Sequence, residues 1–421
     1  MRAGGPTRGA TLAALLALMT TRASAGPTIA WSSSSASPVP IDPTALSSTE
    51  REALAHCGTG EAGLLAAVRA IVDRKVRGLP VPELDEIALL QRASGEPHPW
   101  ARAWVASASM LGGRATMANL DGWLGATHGR ERRCAVATAT STDGTQTLAV
   151  VAVDVLADLA PLPTHARPGQ WLSVEATLRV PALGGDVLVL GPSGVPRSIP
   201  TAFDGKVLRA RFAPERPGEF TVQVVADVAS GRRPVLEATV LAGVDAPTPS
   251  ARIAPGEDLA PGAARSSVSE RADPNLTGPA RSSDSERADP KPVATAPDDD
   301  QLAEMVASAR GSLGLARLTR HPSLDAIARD HAQRMARTHE LAHQLDDGDP
   351  LERLHAAGID TRYVGENLAH APTVRLAHRA LWVSPSHRAN LVSREFERIG
   401  VGVVRDEHGD AWAVEIFASA F

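Results

Sequence analysis

The spacing of apolar residues along the chain changes three times, and each change marks a module. Leu64, Leu65, Val68, Ile71, Val72 and Val76 recur at intervals of three and four, the period of a helix that buries one face. Ser47 and Glu50 stand ahead of them at capping-box spacing, and Gly78 with Pro80 ends the run. Further helical stretches are predicted around Leu84 to Leu90 and Trp100 to Met110. The segment RCAVATATSTDGTQTLAVVAVDV then alternates about Asp143-Gly144, as a β-hairpin does. Residues 45–160 therefore read as an α+β domain, and the Ser- and Pro-rich stretch 26–44 as a flexible lead-in.

Beyond Pro161 the period drops to two. In WLSVEATLRV the residues Leu172, Val174, Ala176, Leu178 and Val180 alternate with polar ones, and DVLVL, KVLRARF, EFTVQVVADV and VLEATVL follow between Gly/Pro turns. Short alternating strands over 161–244 predict an all-β, immunoglobulin-like sandwich. No polar cluster stands out in it, so a spacer or adhesive role is expected. From 245 to 297 the composition collapses to Ala, Pro, Ser, Arg and Asp, and ARSSVSERADP at 264–274 returns as ARSSDSERADP at 280–290. Such a segment has too little apolar surface to offset the entropy of ordering, so a disordered linker is expected. Asn275-Leu276-Thr277 inside it is a formal glycosylation sequon, a three-residue match that chance supplies easily.

Helical period returns at Leu302 with Met305, Val306, Ala309 and Leu313, and Asp298 to Asp300 sit where a helix N-terminus favours acids. A second helix after Pro322-Ser323 carries Leu324, Ile327, Ala328, His331 and Met335 on one face. His331, on an apolar stripe, is expected to be a hydrogen-bonded core side chain. A short helix near Leu351 to Ala357 and another from Thr373 to Val383 follow, the latter stopped by Ser384-Pro385. IGVGVV and AWAVEIFA, around the turn RDEHGD, finish the chain as two strands.

A length of 421 residues suits roughly three domains. The start has Arg2 and Arg8 before a short apolar run, then a small-residue A-x-A ending at Ala25. This predicts a signal peptide, residues 1–25, and a protein that is secreted or periplasmic. The run from Leu12 to Met19 is too short to span a bilayer, which takes about 20 residues. Loss of Arg2, Arg8 and Arg22 would move the formal charge from −5 to −8. An acidic chain without a basic block argues against nucleic acid or an anionic membrane as partner. The only cysteines, Cys57 and Cys134, can pair in an oxidising compartment or remain two buried thiols.

The polar residues of the last 120 positions fall into an ordered set: Arg310 with Gly314-Leu315, His343, Gly358, Gly365-Glu366-Asn367, Ser384-Pro385-Ser386-His387-Arg388, Ile399-Gly400-Val401-Gly402, and Trp412 to Phe417. In this order, residues 301–421 resemble the CAP family (cysteine-rich secretory proteins, antigen five and pathogenesis-related proteins), most closely its bacterial secreted branch. The resemblance implies a three-layer α/β/α sandwich over 298–421 with a shallow groove. It also implies that His343, Glu366 and His387 line the groove. The family's second glutamate has no match, because Trp382-Val383-Ser384 stands there.

Two imidazoles suit Zn²⁺ or another divalent ion, but tight sites use three or four protein ligands, so His343 and His387 predict weak binding. Glu366 is then a third ligand, a partner that fixes a His tautomer, or a base for bound water. Without metal, His343 and His387 would act as general acid and base, with Glu366 as their carboxylate. A hydrolase built on Ser384 or Ser386 is disfavoured, since adjacent Ser386 and His387 do not face each other. Asn367, Ser384, Ser386 and Asn390 are candidate ligand contacts or loop anchors. His370, His378 and His408 have no family counterpart and are expected at the surface. The leading expectation is a binding module for an extracellular lipid, peptide or cell-wall ligand; the alternative is an extracellular hydrolase, metal-assisted or not. Finally, ERRCAVATATSTDGTQTLAVVAVD loosely parallels FERIGVGVVRDEHGDAWAVEIFA, so residues 45–160 are a candidate degenerate CAP-like domain without the histidines.

Overall fold

A computed structural model describes residues 31–35, 39–125, 131–245, 254–257 and 296–421. The expected signal peptide, residues 1–25, and most of the expected linker lie outside these residues. The N-terminal unit runs α1 (Ser48–Cys57), β1 (Thr59–Gly60), α2 (Leu65–Val76), α3 (Leu84–Ala93), β2 (Arg102–Ala108), α4 (Arg114–Leu124), β3 (Arg132–Thr140) and β4 (Gln146–Asp154). Its sheet has the order β1-β3-β4-β2, with β1 parallel to β3 and the other pairs antiparallel. The Ser47–Glu50 capping box starts α1. One sheet face packs on α2 and α3 through Val68, Ile71, Ile87 and Val151, the other on α1 and α4 through Trp104, Leu120, Val136 and Val150. Cys57 of α1 and Cys134 of β3 form a disulfide.

The stretch Trp100 to Met110, expected to be helical, is instead the strand β2. Its alanines favour a helix locally, but pairing along β4 from Arg102↔Ala152 to Ala108↔Gln146 buries Ala103, Trp104 and Val105 in the sheet. The lead-in is also partly ordered: Ser34 bridges to Leu162, and Ile41 is buried in the N-terminal core.

The central module has two sheets over one apolar core. Its strands are β5 (Ala157–Leu159), β6 (His165–Ala166), β7 (Leu172–Leu178), β8 (Gly184–Leu190), β9 (Pro196–Ile199), β10 (Thr201–Phe203), β11 (Val207–Phe212), β12 (Gly218–Val228) and β13 (Gly231–Ala242). The sheet orders are β10-β11-β7-β5 and β6-β13-β12-β8-β9, with β6 parallel to β13.

The C-terminal unit comprises α5 (Asp298–Gly311), β14 (Thr319–Arg320), α6 (Pro322–Thr338), α7 (Pro350–Ala356), β15 (Val364–Ala371), α8 (Val374–Val383), α9 (Pro385–Val392), β16 (Arg398–Arg405) and β17 (Ala411–Ala418). Its sheet order is β14-β16-β17-β15. Alternate residues of β17 face opposite layers: Trp412, Val414 and Ile416 meet α6, while Ala411, Ala413 and Phe417 meet α5, α8 and α9. Three layers result. At Gly400 and Gly402 an added Cβ would overlap the α6 backbone, which explains glycine on β16 where that helix crosses. Within the expected linker, residues 254–257 are ordered against this unit: Ala254 is buried in its core, and Glu257 pairs with Arg375 and Arg379. Two arginines on one face of α8 attract a carboxylate, which overrides the composition of the segment.

Candidate functional site

The site lies at the outer strand of the C-terminal sheet. β15 carries Glu366 and Asn367 on opposite faces, as neighbouring strand residues must be. On one face, His343 Nδ1 donates to Glu366 Oε1 at 2.8 Å, and the Arg353 guanidinium of α7 pairs with Glu366 Oε2. Arg353 also donates to the carbonyls of His343 (3.0 Å) and Gly348 (2.7 Å), so it ties the histidine loop to the helix. Burial alone would raise the Glu366 carboxyl, but the His343 hydrogen bond and the charges of Arg353 and His343 hold it below its ordinary value. Glu366 is thus an anion with both oxygens engaged.

On the other face, Asn367 is fully buried and donates to the His387 carbonyl (3.1 Å) and to Glu415 Oε2 (2.9 Å). Asn390 of α9 donates to Asn367 Oδ1 (2.9 Å) and to the Glu366 carbonyl (3.2 Å). These amides clamp α9 to β15 and so fix His387. His387 Nδ1 is hydrogen-bonded to Ser384 Oγ at 2.8 Å. Burial, together with the nearby charge of His343, pushes the His387 imidazole down to about 3, so it is neutral at physiological pH. His343 is bonded to Glu366, and the His387 carbonyl to Asn367, the next residue of β15, although 43 residues separate the two histidines in the chain. Among the described residues neither Nε2 has a hydrogen-bond partner.

Glu415 escaped the sequence reading. On a strand exposed on one side an alternating acid faces water, but here both faces are covered. Glu415 is fully buried, its Oε1 has no hydrogen-bond partner among the described residues, and burial raises its carboxyl to about 7.

The other histidines divide. His331 is a buried core residue, bonded to Asp347 (2.9 Å) and the Ala342 carbonyl (2.9 Å). His378, expected at the surface, is fully buried on α8 facing the Pro255 carbonyl, and burial lowers it to about 4. His370 is half-exposed and stacks on Trp412 at 4.0 Å; burial lowers it despite the nearby Asp410 and Asp406. His370 and His408 are exposed at the surface, as expected. The ligand atoms of His370, Asp406 and Asp410 lie within 4.8 Å of one another, close enough for a divalent ion. The fold already accounts for Asp406, which accepts from the His408 and Asp410 amides of the β16–β17 turn and from Trp412 Nε1.

The upstream modules meet this site. Gln223 of β12 donates to Ser384 Oγ (3.0 Å) and accepts from the Ser386 amide (2.8 Å). Ser230, in the β12–β13 turn, accepts from the His343 amide at 2.9 Å. Trp100, at the entrance to β2, sets its ring edge-on to His387 with centroids 6.0 Å apart. Its φ of 66° is rare for a bulky residue and persists only where the surroundings enforce it. The central module therefore brings polar groups, Gln223 and the Ser230 carbonyl, against the site, which its alternating strands did not announce.

Three comparisons bear on this geometry. The family model described as "CAP: Cysteine-rich secretory protein family" matches residues 303–417. No curated protein sequence matches the chain. Among solved structures, an outer surface protein from Borrelia burgdorferi is 22% identical over 30% of this chain and 93% of its own, with a TM-score of 0.28. An extracellular SCP-domain protein from Bacillus anthracis is 14% identical over 49% and 65%, with a TM-score of 0.28. A cysteine-rich secretory protein from Staphylococcus aureus is 16% identical over 63% and 83%, with a TM-score of 0.27. The match to the family model, on a sheet whose motifs occur in the expected order, makes residues 303–417 a CAP domain of the cysteine-rich secretory protein family.

Proposed function

We propose that this protein is an extracytoplasmic binding module whose CAP groove takes a ligand at His343 and His387, with Zn²⁺ or a similar divalent ion as the simplest case. One observation carries the reading: both imidazoles are anchored through Nδ1, on Glu366 and on Ser384, which leaves each Nε2 to a ligand. Glu366 has its second oxygen on Arg353, so its role is to orient His343 rather than to ligate. Two protein ligands make a weak, exchangeable site. The hydrolase reading is less well supported. Ser384 lies against His387 while the carboxylate serves His343, and the Ser384 hydroxyl is also taken by Gln223.

The reading extends to the upstream modules. The order β10-β11-β7-β5 facing β6-β13-β12-β8-β9 is compatible with an immunoglobulin-like sandwich. The N-terminal unit fits a second, degenerate copy of the CAP fold. Its sheet order and strand directions match those of the C-terminal sheet pair for pair, and each hairpin turns on a glycine at positive φ, Gly144 and Gly409.

Calorimetric titration of the full chain with Zn²⁺ tests the site. One equivalent should bind with micromolar or weaker affinity, and His343→Ala and His387→Ala should each abolish it. Equal binding by both variants would refute the two-histidine site.

A further inference from the structure

Gln223 is fully buried and at the centre of a hydrogen-bonded chain that crosses all three modules. Arg92 of α3 donates to Glu237 of β13 at 2.9 Å, and Glu237 accepts from Gln223 at 2.6 Å. Gln223 then reads the start of α9 with both ends of its carboxamide, donating to the Ser384 hydroxyl and accepting from the Ser386 amide. Ser384 in turn holds His387. The turn between β12 and β13 sits on the opposite histidine: the Ser230 carbonyl accepts from the His343 amide, and a Cβ on Gly231 would lie 2.5 Å from that of His343. Only glycine permits such an approach, at a φ of 104°. Trp100 of the N-terminal unit, whose Nε1 donates to the Pro234 carbonyl of β13 at 3.4 Å, flanks His387.

We infer that the standing occupant of the CAP groove is the protein's own β-module, through Gln223 and the Ser230-Gly231 turn, and that an external ligand reaches His343 and His387 by displacing it. The inference rests on the reading of that groove as a ligand site. A carboxamide with two partners and a main-chain carbonyl on a main-chain amide are contacts a bound polypeptide makes. The displacing ligand is accordingly a peptide segment presenting an amide side chain beside a tight turn. Because the open form is the competent one, the apparent affinity of any ligand falls by the fraction of molecules that are open.

Diethylpyrocarbonate labelling of the full chain, read residue by residue by mass spectrometry, tests the closure with exposed His408 as internal reference. His343 and His387 should react at least tenfold more slowly than His408. Gln223→Ala combined with Trp100→Ala should bring both towards the His408 rate and tighten Zn²⁺ binding at least tenfold. Equal rates in the unmodified protein, or unchanged rates in the folded double variant, would overturn the closure. Should that variant unfold, amide hydrogen exchange of the unmodified chain decides. The His343 amide should be protected more than tenfold over exposed loop amides and lose that protection when a Gln- and Gly-containing peptide saturates the protein. Lack of protection refutes the closure, and so does protection that survives saturation. If the rates rise in the variant but no Zn²⁺ binds, the closure stands and the metal-site reading falls.

Discussion

The N-terminal unit and the CAP domain place very different residues on matching scaffolds. In both, the third strand in sequence pairs with the fourth through a five-residue connection, Ser141 to Thr145 in one and Asp406 to Asp410 in the other. Register then equates positions. Val136↔Val150↔Trp104 in the first sheet corresponds to Val401↔Glu415↔Asn367 in the second. The residue before each outer-strand position is Ala103 in one and Glu366 in the other. The N-terminal unit thus fills with an indole and a valine the space that the CAP domain gives to a buried amide and a buried acid. Packing the first is a matter of volume, whereas the second needs a hydrogen bond for every polar atom, or stability is lost.

The largest effect that separates the units should come from the disulfide, which only the N-terminal unit has. Cys57→Ser with Cys134→Ser opens a loop with a sequence separation of 77 and should cost about 4 kcal/mol on the chain-entropy model. Denaturant unfolding followed by limited proteolysis should find the N-terminal unit weakened and the CAP domain unchanged. Equal loss in both units would mean that they unfold as one body.

A smaller effect should follow from Asn367→Ala. The change strips hydrogen bonds from the His387 carbonyl and the Glu415 carboxyl at once, and orphaned buried groups cost roughly 1–3 kcal/mol. Loosening of α9 should accompany it, read as faster amide exchange from Pro385 to Val392. A stability loss without faster exchange there would show that Asn367 fills space rather than clamps the helix.

Much of the scaffold was legible because helical and strand periods are local. The faces of α2, α5 and α6 follow from apolar spacing alone. The Ala-rich β2 was not legible, because its partner β4 lies some 45 residues away and overrides local propensity. Nor did the Gly-Glu-Asn stretch of β15 show itself as a strand, since its polar residues point to both covered faces. The site was legible only as an ordered resemblance: His343 is bonded to Glu366, and Asn367 to the His387 carbonyl, but nothing in their spacing required it. The contact of the central module with Ser384 and Ser386 was invisible. Gln223 and Ser384 are 161 positions apart, and a glutamine alternating on a strand reads as a solvent-facing residue until another module lands on it.

The smallest effect is also the one that separates Glu415 from Val150 most cleanly. Burial raises the Glu415 carboxyl to about 7, so the folded chain keeps a proton that the unfolded chain, with an ordinary pKa near ~4.3, gives up. Folding stability contributed by this group therefore falls as pH rises from about 4.5 to 7, and the loss is complete above that window. Glu415→Gln keeps the shape and still accepts from Asn367, but it cannot ionise. It should be neutral at pH 4.5 and stabilising at pH 8, by on the order of 1–2 kcal/mol. His387 complicates the absolute curve, because the unfolded chain gains its proton on acidification, but that contribution is common to both proteins and cancels in the difference. Urea unfolding of the two proteins across pH 4.5 to 8 supplies the difference curve. A flat curve would mean that Glu415 is ionised in the fold with a partner for Oε1, and the contrast with Val150 would then be one of charge rather than of a stored proton.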